Sequence, residues 1–190
     1  MNRPLLIAFG SNVAPLESLV RGITLLHRLL EVQAISTVYR TRPLPPPGDA
    51  VPPDGDSPDF LNGALLCRRH LPPRELKEAL AGIESALGRR RDGGSYGPRT
   101  LDLDIALIGD LVLQEREMTI PHPDLLSRSF VAIPLAQLAP GLHHPETNRT
   151  LAAIAAGFGP APAGMVADPE ATALLQGLLA GFHLPGSKNL

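Results

Sequence analysis

Leu101-Asp102-Leu103-Asp104-Ile105 alternates apolar and acidic residues, and the turn Tyr96-Gly97-Pro98-Arg99-Thr100 leads straight into it. Side chains at i and i+2 of a β-strand project from one face. The alternation predicts a strand that carries Asp102 and Asp104 side by side and turns Leu101, Leu103 and Ile105 to the opposite face. Carboxylates that close repel each other unless a cation lies between them. An oxygen-only donor set suits a hard cation such as Mg2+ better than zinc or copper. The turn also delivers Arg99 beside the acidic pair, and metal with arginine is a common construction for sites that handle phosphate esters.

Upstream of this strand, Leu5–Phe9 reads as a buried strand ended by Gly10-Ser11-Asn12. Pro15 and Glu17 open an amphipathic helix whose apolar positions run Leu16, Leu19, Val20, Ile23, Leu26, Leu29 and Leu30. Val32–Tyr39 and Phe60–Arg69 predict two more strands. Thr41–Pro58, with seven prolines in eighteen residues, predicts a long surface loop. Pro72-Pro73-Arg74-Glu75 starts a second helix through Leu76, Leu80, Ile83 and Leu87 to Gly88. Downstream, Leu101–Ile108 completes the fourth strand, and Gly109-Asp110 turns into Leu111–Leu113. Ile120-Pro121-His122-Pro123 is extended, and Leu125–Leu138 holds a third helix or short helical turns. The order β-α-β-β-α-β predicts an α+β, ferredoxin-like fold: an antiparallel sheet with helices packed on one face. Beyond residue 152 the chain is rich in Ala, Gly and Pro; Glu170–Leu179 suits a helix and the rest reads as loosely ordered.

The chain has 190 residues, 44% of them hydrophobic, which fits one globular domain with a real core. No apolar run reaches the roughly 18 to 20 residues needed to span a bilayer. Leu5–Phe9 is also too short for the core of a signal peptide. The single cysteine, Cys67, reads as a small buried hydrophobe and agrees with a reducing, cytoplasmic setting. A net charge of −2 argues against a dedicated nucleic-acid binder. Yet Arg89, Arg90, Arg91 and Arg99 flank Gly93-Gly94. Alone they would fit a solvated helix end; abutting the acidic pair, they predict a phosphate-binding loop. The same density predicts a lid over residues 88–97 that orders on nucleotide.

Gly10-Ser11-Asn12, Tyr39-Arg40-Thr41, Asp59-Phe60-Leu61-Asn62, Gly88-Arg89, Gly97 through Asp104, and Pro121-His122 through Arg128 and Phe130 occur in this order. Together they resemble the 6-hydroxymethyl-7,8-dihydropterin pyrophosphokinase family of folate biosynthesis, over roughly residues 4–155. Pro98-Arg99-Thr100-Leu101-Asp102-Leu103-Asp104 is the most specific of these strings. The resemblance implies transfer of pyrophosphate from ATP to the pterin hydroxymethyl group, with release of AMP. It places a pyrophosphokinase domain at 1–157 and leaves 158–190 as a C-terminal extension, holding at most one helix and not a separate domain.

Residue by residue, the resemblance makes Asp102 and Asp104 ligands of two Mg2+ ions and Arg89 and Arg99 catalytic contacts to the phosphates. Glu84, Arg91, Tyr96, Thr119, His122 and Arg128 join Arg89 and Arg99 as ATP-binding residues. For Glu84 an exposed helix acid paired with a neighbour is an equal reading. The pterin would stack between Phe60 and Phe130, which composition alone assigns to the core, with Asn62 reading its edge. Thr41, Pro43 and Leu44 would supply main-chain contacts. His143-His144 has no match and reads as surface.

Three features depart from the family pattern. Tyr96 stands where tryptophan is frequent. Glu117 replaces an arginine that contacts ATP, and the adjacent Arg116 would point to the other face of a strand. The proline-rich loop is longer than in compact members. A non-catalytic pterin- or nucleotide-binding paralogue would keep the same pocket without turnover. An RNA-binding sheet would need exposed aromatics and a basic face, whereas Asp102 and Asp104 would repel phosphate without a metal. The expected partners are therefore ATP and the pterin, with no nucleic acid and no membrane, and a monomer is expected.

Overall fold

The computed structural model describes residues 3–43, 58–69, 71–89, 99–160, 162 and 164–182. Leu44, the greater part of the proline-rich loop, Arg90, Arg91, Gly93-Gly94, Tyr96 and the lid expected over 88–97, beyond Gly88 and Arg89, lie outside the described residues. The elements are β1 (Leu5–Ser11), α1 (Pro15–Leu30), β2 (Val32–Ile35), β3 (Tyr39–Thr41), β4 (Phe60–Cys67), α2 (Pro73–Ala86) and β5 (Asp102–Ile108). There follow β6 (Leu113–Glu115), β7 (Met118–Ile120), α3 (Asp124–Ser127), α4 (Ser129–Leu138), α5 (Leu151–Ala156), β8 (Met165–Ala167) and α6 (Pro169–Phe182).

An antiparallel six-stranded sheet runs in the order β5-β1-β4-β3-β8, with β2 also paired to β4, and β6 and β7 form a separate hairpin. The central strand β1 reads as a near-continuous apolar run because both of its faces are covered. Leu5, Ile7 and Phe9 join Leu19, Ile23, Leu26 and Leu30 of α1 in one core, which also takes in Leu76 and Leu80 of α2 and Leu103 and Ile105 of β5. Leu6 on the other face joins Ala64, Ala106 and Leu107, under Leu125 of α3, Val131, Ala132 and Leu135 of α4, and Leu151 and Ile154 of α5. Each fully buried leucine contributes roughly 1.5–3 kcal/mol.

The expectation of helices on one face is corrected: α3, α4 and α5 cover the second face. That face carries Leu6 and Leu107, fully buried, and needs its own cover. The second predicted strand is interrupted. Ser36 leaves the regular ladder, its hydroxyl accepting from the Ala64 N–H at 2.9 Å and its own N–H donating to the Ala64 carbonyl at 3.1 Å. The tail is also more ordered than its composition suggests: β8 adds to the sheet, and Ala171, Leu175 and Leu179 of α6, four residues apart, enter the first core. Cys67 is buried as expected, and burial pushes its thiol up to about 12.

Candidate active site

Strand β5 presents Asp102 and Asp104 on the face shared with Ala8, and Leu103 and Ile105 on the face toward α1. The paired strand β1 ends at Gly10-Ser11, and Asn12 follows it. Ser11, Asn12 and Val13 hold Arg99 and Thr100, which lead into the acidic pair. Ser11 Oγ donates to the Thr100 carbonyl at 2.6 Å, and the Arg99 N–H donates to Asn12 Oδ1 at 2.7 Å. The Asn12 and Val13 N–H groups both donate to the Arg99 carbonyl, at 3.0 and 3.2 Å. Asn12 Nδ2 also reaches the Pro58 carbonyl at 3.4 Å. Asn12 therefore ties the approach to β4 to the approach to β5.

Helix α2 delivers the second arginine. Gly88 ends it at φ +83°, with the Gly88 N–H donating to the Ser85 carbonyl and the Arg89 N–H to the Glu84 carbonyl. This is the paired hydrogen-bond pattern of a Schellman cap, for which glycine is suited. The turn sends Arg89 back across the helix end. Its Nη1 lies 2.5 Å from Glu84 Oε1 and 2.6 Å from Asp102 Oδ1, and Arg99 Nη1 contacts Asp102 Oδ2. Glu84 is 2% exposed and also accepts from the Leu103 N–H at 2.9 Å. The exposed-acid reading of Glu84 is overturned: it is a buried carboxylate that ties α2 to β5 and holds Arg89.

Asp104 is more open, with 48% of its side chain exposed, and His122 Nε2 stands 3.9 Å from Asp104 Oδ1. The Asp124 N–H donates to His122 Nδ1 at 3.3 Å, so the neutral ring carries its proton on Nε2, facing Asp104. Arg128 pairs with Asp124 at 3.9 Å, one helical turn away.

A cavity of about 270 Å3 opens beside the acidic pair. Asp102, Asp104 and Arg99 line it together with Thr41, Pro43, Phe60, Asn62, Phe130 and Arg128. Asn62 Nδ2 donates to Thr41 Oγ1 at 2.8 Å, and both residues are buried. Of the residues expected to act, Arg89, Glu84 and His122 do not line the cavity; Arg89 pairs with Glu84 and Asp102, and His122 lies 3.9 Å from Asp104. Thr119 is exposed on β7 and does not line the cavity. Arg42 and Asp124 line it without having been singled out; neither sits in a motif whose spacing marks it. The role of Ser11 and Asn12 was equally hidden, because their partners lie almost ninety residues away.

Two other expectations change. Arg116 and Glu117 form the tight turn between β6 and β7, so the argument from alternating strand faces does not apply to them. His144 is 2% exposed rather than on the surface. Its Nδ1 accepts from the N–H groups of Glu146 and Thr147 at 3.3 and 3.4 Å, and burial lowers its pKa against the opposing pull of Glu146.

The donor set at Asp102 and Asp104 fits a hard divalent cation. Two carboxylates supply oxygen only and leave positions for water and phosphate oxygens, the arrangement Mg2+ prefers. Among the described residues no cluster of three or more His, Cys, Asp or Glu forms an all-protein cage. Asp102 is already balanced by two guanidiniums, so a cation there has to share or replace them.

A family model described as 7,8-dihydro-6-hydroxymethylpterin-pyrophosphokinase matches residues 6–140. The chain is 40% identical over 143 residues to the Pseudomonas aeruginosa 2-amino-4-hydroxy-6-hydroxymethyldihydropteridine pyrophosphokinase, covering 74% of this chain and 83% of that protein. The Synechocystis protein of the same name is 38% identical over 148 residues, 76% of this chain and 71% of its relative. The crystal structure of wild-type Plasmodium falciparum HPPK-DHPS superposes with a TM-score of 0.63 at 12% identity, over 83% of this chain and 45% of that one. This chain thus spans less than half of that solved chain, and the likeness at that identity concerns the fold. With the family model spanning more than half of the sequence and two relatives above a third identical, the chain belongs to the 7,8-dihydro-6-hydroxymethylpterin-pyrophosphokinase family.

Proposed function

We propose that this chain transfers pyrophosphate from ATP to the hydroxymethyl oxygen of 6-hydroxymethyl-7,8-dihydropterin, releasing AMP, as a step of folate biosynthesis. The observation that carries this reading is a cavity whose lining brings two carboxylates and an arginine together with two aromatic rings and a carboxamide. In the reaction, the hydroxymethyl oxygen attacks the β-phosphorus, the bond from that phosphorus to the bridging α–β oxygen breaks, and AMP departs. Such a displacement needs positioning and charge neutralisation more than covalent help.

Asp102 and Asp104 would hold two Mg2+ ions, whose chemistry is to neutralise the triphosphate and favour in-line displacement. Arg89 and Arg99 exchange Asp102 for phosphate oxygens as the nucleotide arrives, each able to pair bidentately. Glu84 keeps Arg89 within reach during that exchange. His122 offers its Nε2–H, and Arg128 a guanidinium, to the phosphates. Phe60 and Phe130 sandwich the pterin, while Asn62 keeps Oδ1 and one Nδ2 hydrogen free for its edge. Main-chain groups at Thr41 and Pro43 complete that pocket; the family resemblance adds Leu44 as a pterin contact and Thr119, Arg91 and Tyr96 as ATP contacts. The strand order β5-β1-β4 followed by β2 and β3 supports a ferredoxin-like core. We assign 1–157 to the pyrophosphokinase domain and 158–190 to an extension of it. Among the described residues no helix is long and apolar enough to cross a membrane, and we take the protein to act as a cytoplasmic monomer without nucleic acid.

The test is AMP release from purified protein with Mg2+, ATP and the pterin; no AMP sinks the reading. Asp104→Ala should abolish turnover while leaving circular dichroism and melting nearly unchanged, because this carboxylate is half exposed. Retained activity in that variant would remove Asp104 from the metal site.

A further inference from the structure

We propose that the C-terminal segment β8–α6, which lies outside the family match, positions the pterin side of the cavity through a clip centred on Asp168. The proposal rests on the pterin reading above. Strand β3 has three residues and carries Thr41, the partner of Asn62. On one side it pairs with β4, Thr41 opposite Phe60 and Tyr39 opposite Asn62. On the other it pairs with β8, Tyr39 opposite Ala167, Arg40 opposite Val166 and Thr41 opposite Met165. Without β8, a three-residue strand at the cavity wall would be an open edge, held from one side only.

The residue after β8 joins the pieces. The Asp168 N–H donates to the Val38 carbonyl at 2.8 Å, and its carboxylate accepts from Arg40 Nη2 at 2.6 Å. The same carboxylate accepts from the Ala171 N–H at 3.0 Å, three residues on, and so caps α6, which has Pro169 at its first position. Helix α6 then completes the hold. Thr172 Oγ1 accepts from the Val38 N–H at 2.9 Å and donates to the Asp168 carbonyl at 2.7 Å. Gln176 Nε2 donates to the Ile35 carbonyl at 3.0 Å. Both main-chain groups of Val38, the residue that leads into β3, are therefore held by the extension. From the opposite face Gln137 of α4 accepts from the Thr37 N–H at 3.1 Å and donates to Tyr39 Oη at 2.7 Å. Among the described residues, the hydrogen bonds from the β8–α6 segment to the rest of the sheet reach Ile35, Val38 and Arg40, at and before the strand that carries Thr41. The clip should therefore act on the pterin and not on the nucleotide.

Asp168→Ala and Thr172→Val test this against Leu179→Ala, a large-to-small change in the same helix whose side chain packs in the core and makes no hydrogen bond to β3. Calorimetry gives the Kd of the pterin in the presence of Mg2+ and a non-hydrolysable ATP analogue, and the Kd of the analogue itself. The clip variants should weaken pterin binding roughly three- to tenfold, the scale of one lost cap or hydrogen bond, and leave analogue binding within about twofold. Asp168→Asn, which keeps the cap, should recover part of the loss. Amide exchange across residues 38–41 should quicken in the clip variants. Leu179→Ala should lower Tm at least as much and leave pterin Kd unchanged. Unchanged pterin Kd in the clip variants, or an equal loss in Leu179→Ala, overturns the proposal, as does equal weakening of both ligands. If the unmodified protein releases no AMP, the transfer reading fails while the binding comparison still decides the clip. If it binds no pterin at all, both fall.

Discussion

Gly10 has no side chain where Asn62 needs room: a Cβ built there would lie 2.8 Å from Asn62 Oδ1. The two residues face each other across the β1–β4 ladder. The carboxamide cannot swing aside freely, because its Nδ2 is held by Thr41 in a buried hydrogen bond. Gly10→Ala should therefore displace Asn62 more than it unfolds the chain. We expect the KM for the pterin to rise about tenfold, equivalent to ~1.4 kcal/mol. The KM for ATP should stay within about twofold, because Asn12 and Ser11 still secure the turn at Arg99. Steady-state kinetics with each substrate varied in turn checks this, and an equal rise for both substrates would contradict it. From the sequence alone the first strand ends at Gly10-Ser11-Asn12, whereas Gly10 and Ser11 pair within β1; the reason for glycine there, a neighbouring side chain on another strand, is not local.

At the scale of elements, the end of α2 places Arg89. Gly88 sits at φ +83°, and among the described residues an added methyl would meet no neighbour, so the backbone conformation is what would suffer. Left-handed geometry costs a residue with a Cβ roughly 1–2 kcal/mol. Gly88→Ala should thus lower Tm modestly and lower kcat, since Arg89 would lose its fixed approach to Glu84 and Asp102, while the pterin KM stays unchanged. A kcat equal to that of the unmodified protein would show that Arg89 finds the phosphates without the cap. Helix ends of this kind were legible: Pro15, Pro73 and Gly88 mark boundaries by chemistry that acts within a few residues. The helix Pro15–Leu30 follows from its spacing alone, and β5 with its two carboxylates from alternation. What depends on distant partners was not legible. Burial of Glu84 comes from the Leu103 amide and Arg89, burial of His144 from its own turn, and the order of β8 from an edge strand over a hundred residues upstream. Local composition carries no trace of these.

Across the whole molecule, two titratable groups well apart in sequence make stability depend on acidity in opposite chemical senses but the same direction. His144, in the turn before α5, is buried with Nδ1 accepting two N–H groups, which only the neutral ring can do. Burial lowers its pKa from the ordinary 6.5, ahead of the opposing pull of Glu146. The unfolded chain then binds the proton more readily, so stability falls as pH drops below about 6.5 and levels off below the folded value. Asp168 at the start of α6 has its pKa lowered from 3.8, first by the Ala171 N–H and then by Arg40, against the opposing effect of burial. Its contribution is whole above about 3.8 and is lost as pH falls through that value toward the folded one. Urea unfolding of the full chain at a series of pH values should show two separate declines. His144→Gln should flatten the decline that begins near 6.5 and leave the lower one in place. Asp168→Asn should do the reverse, with lower stability at neutral pH and a smaller further loss in acid. If His144→Gln leaves the upper decline untouched, the imidazole titrates in the folded protein as it does in the unfolded one, and its hydrogen bonds from Glu146 and Thr147 hold no preference for the neutral ring.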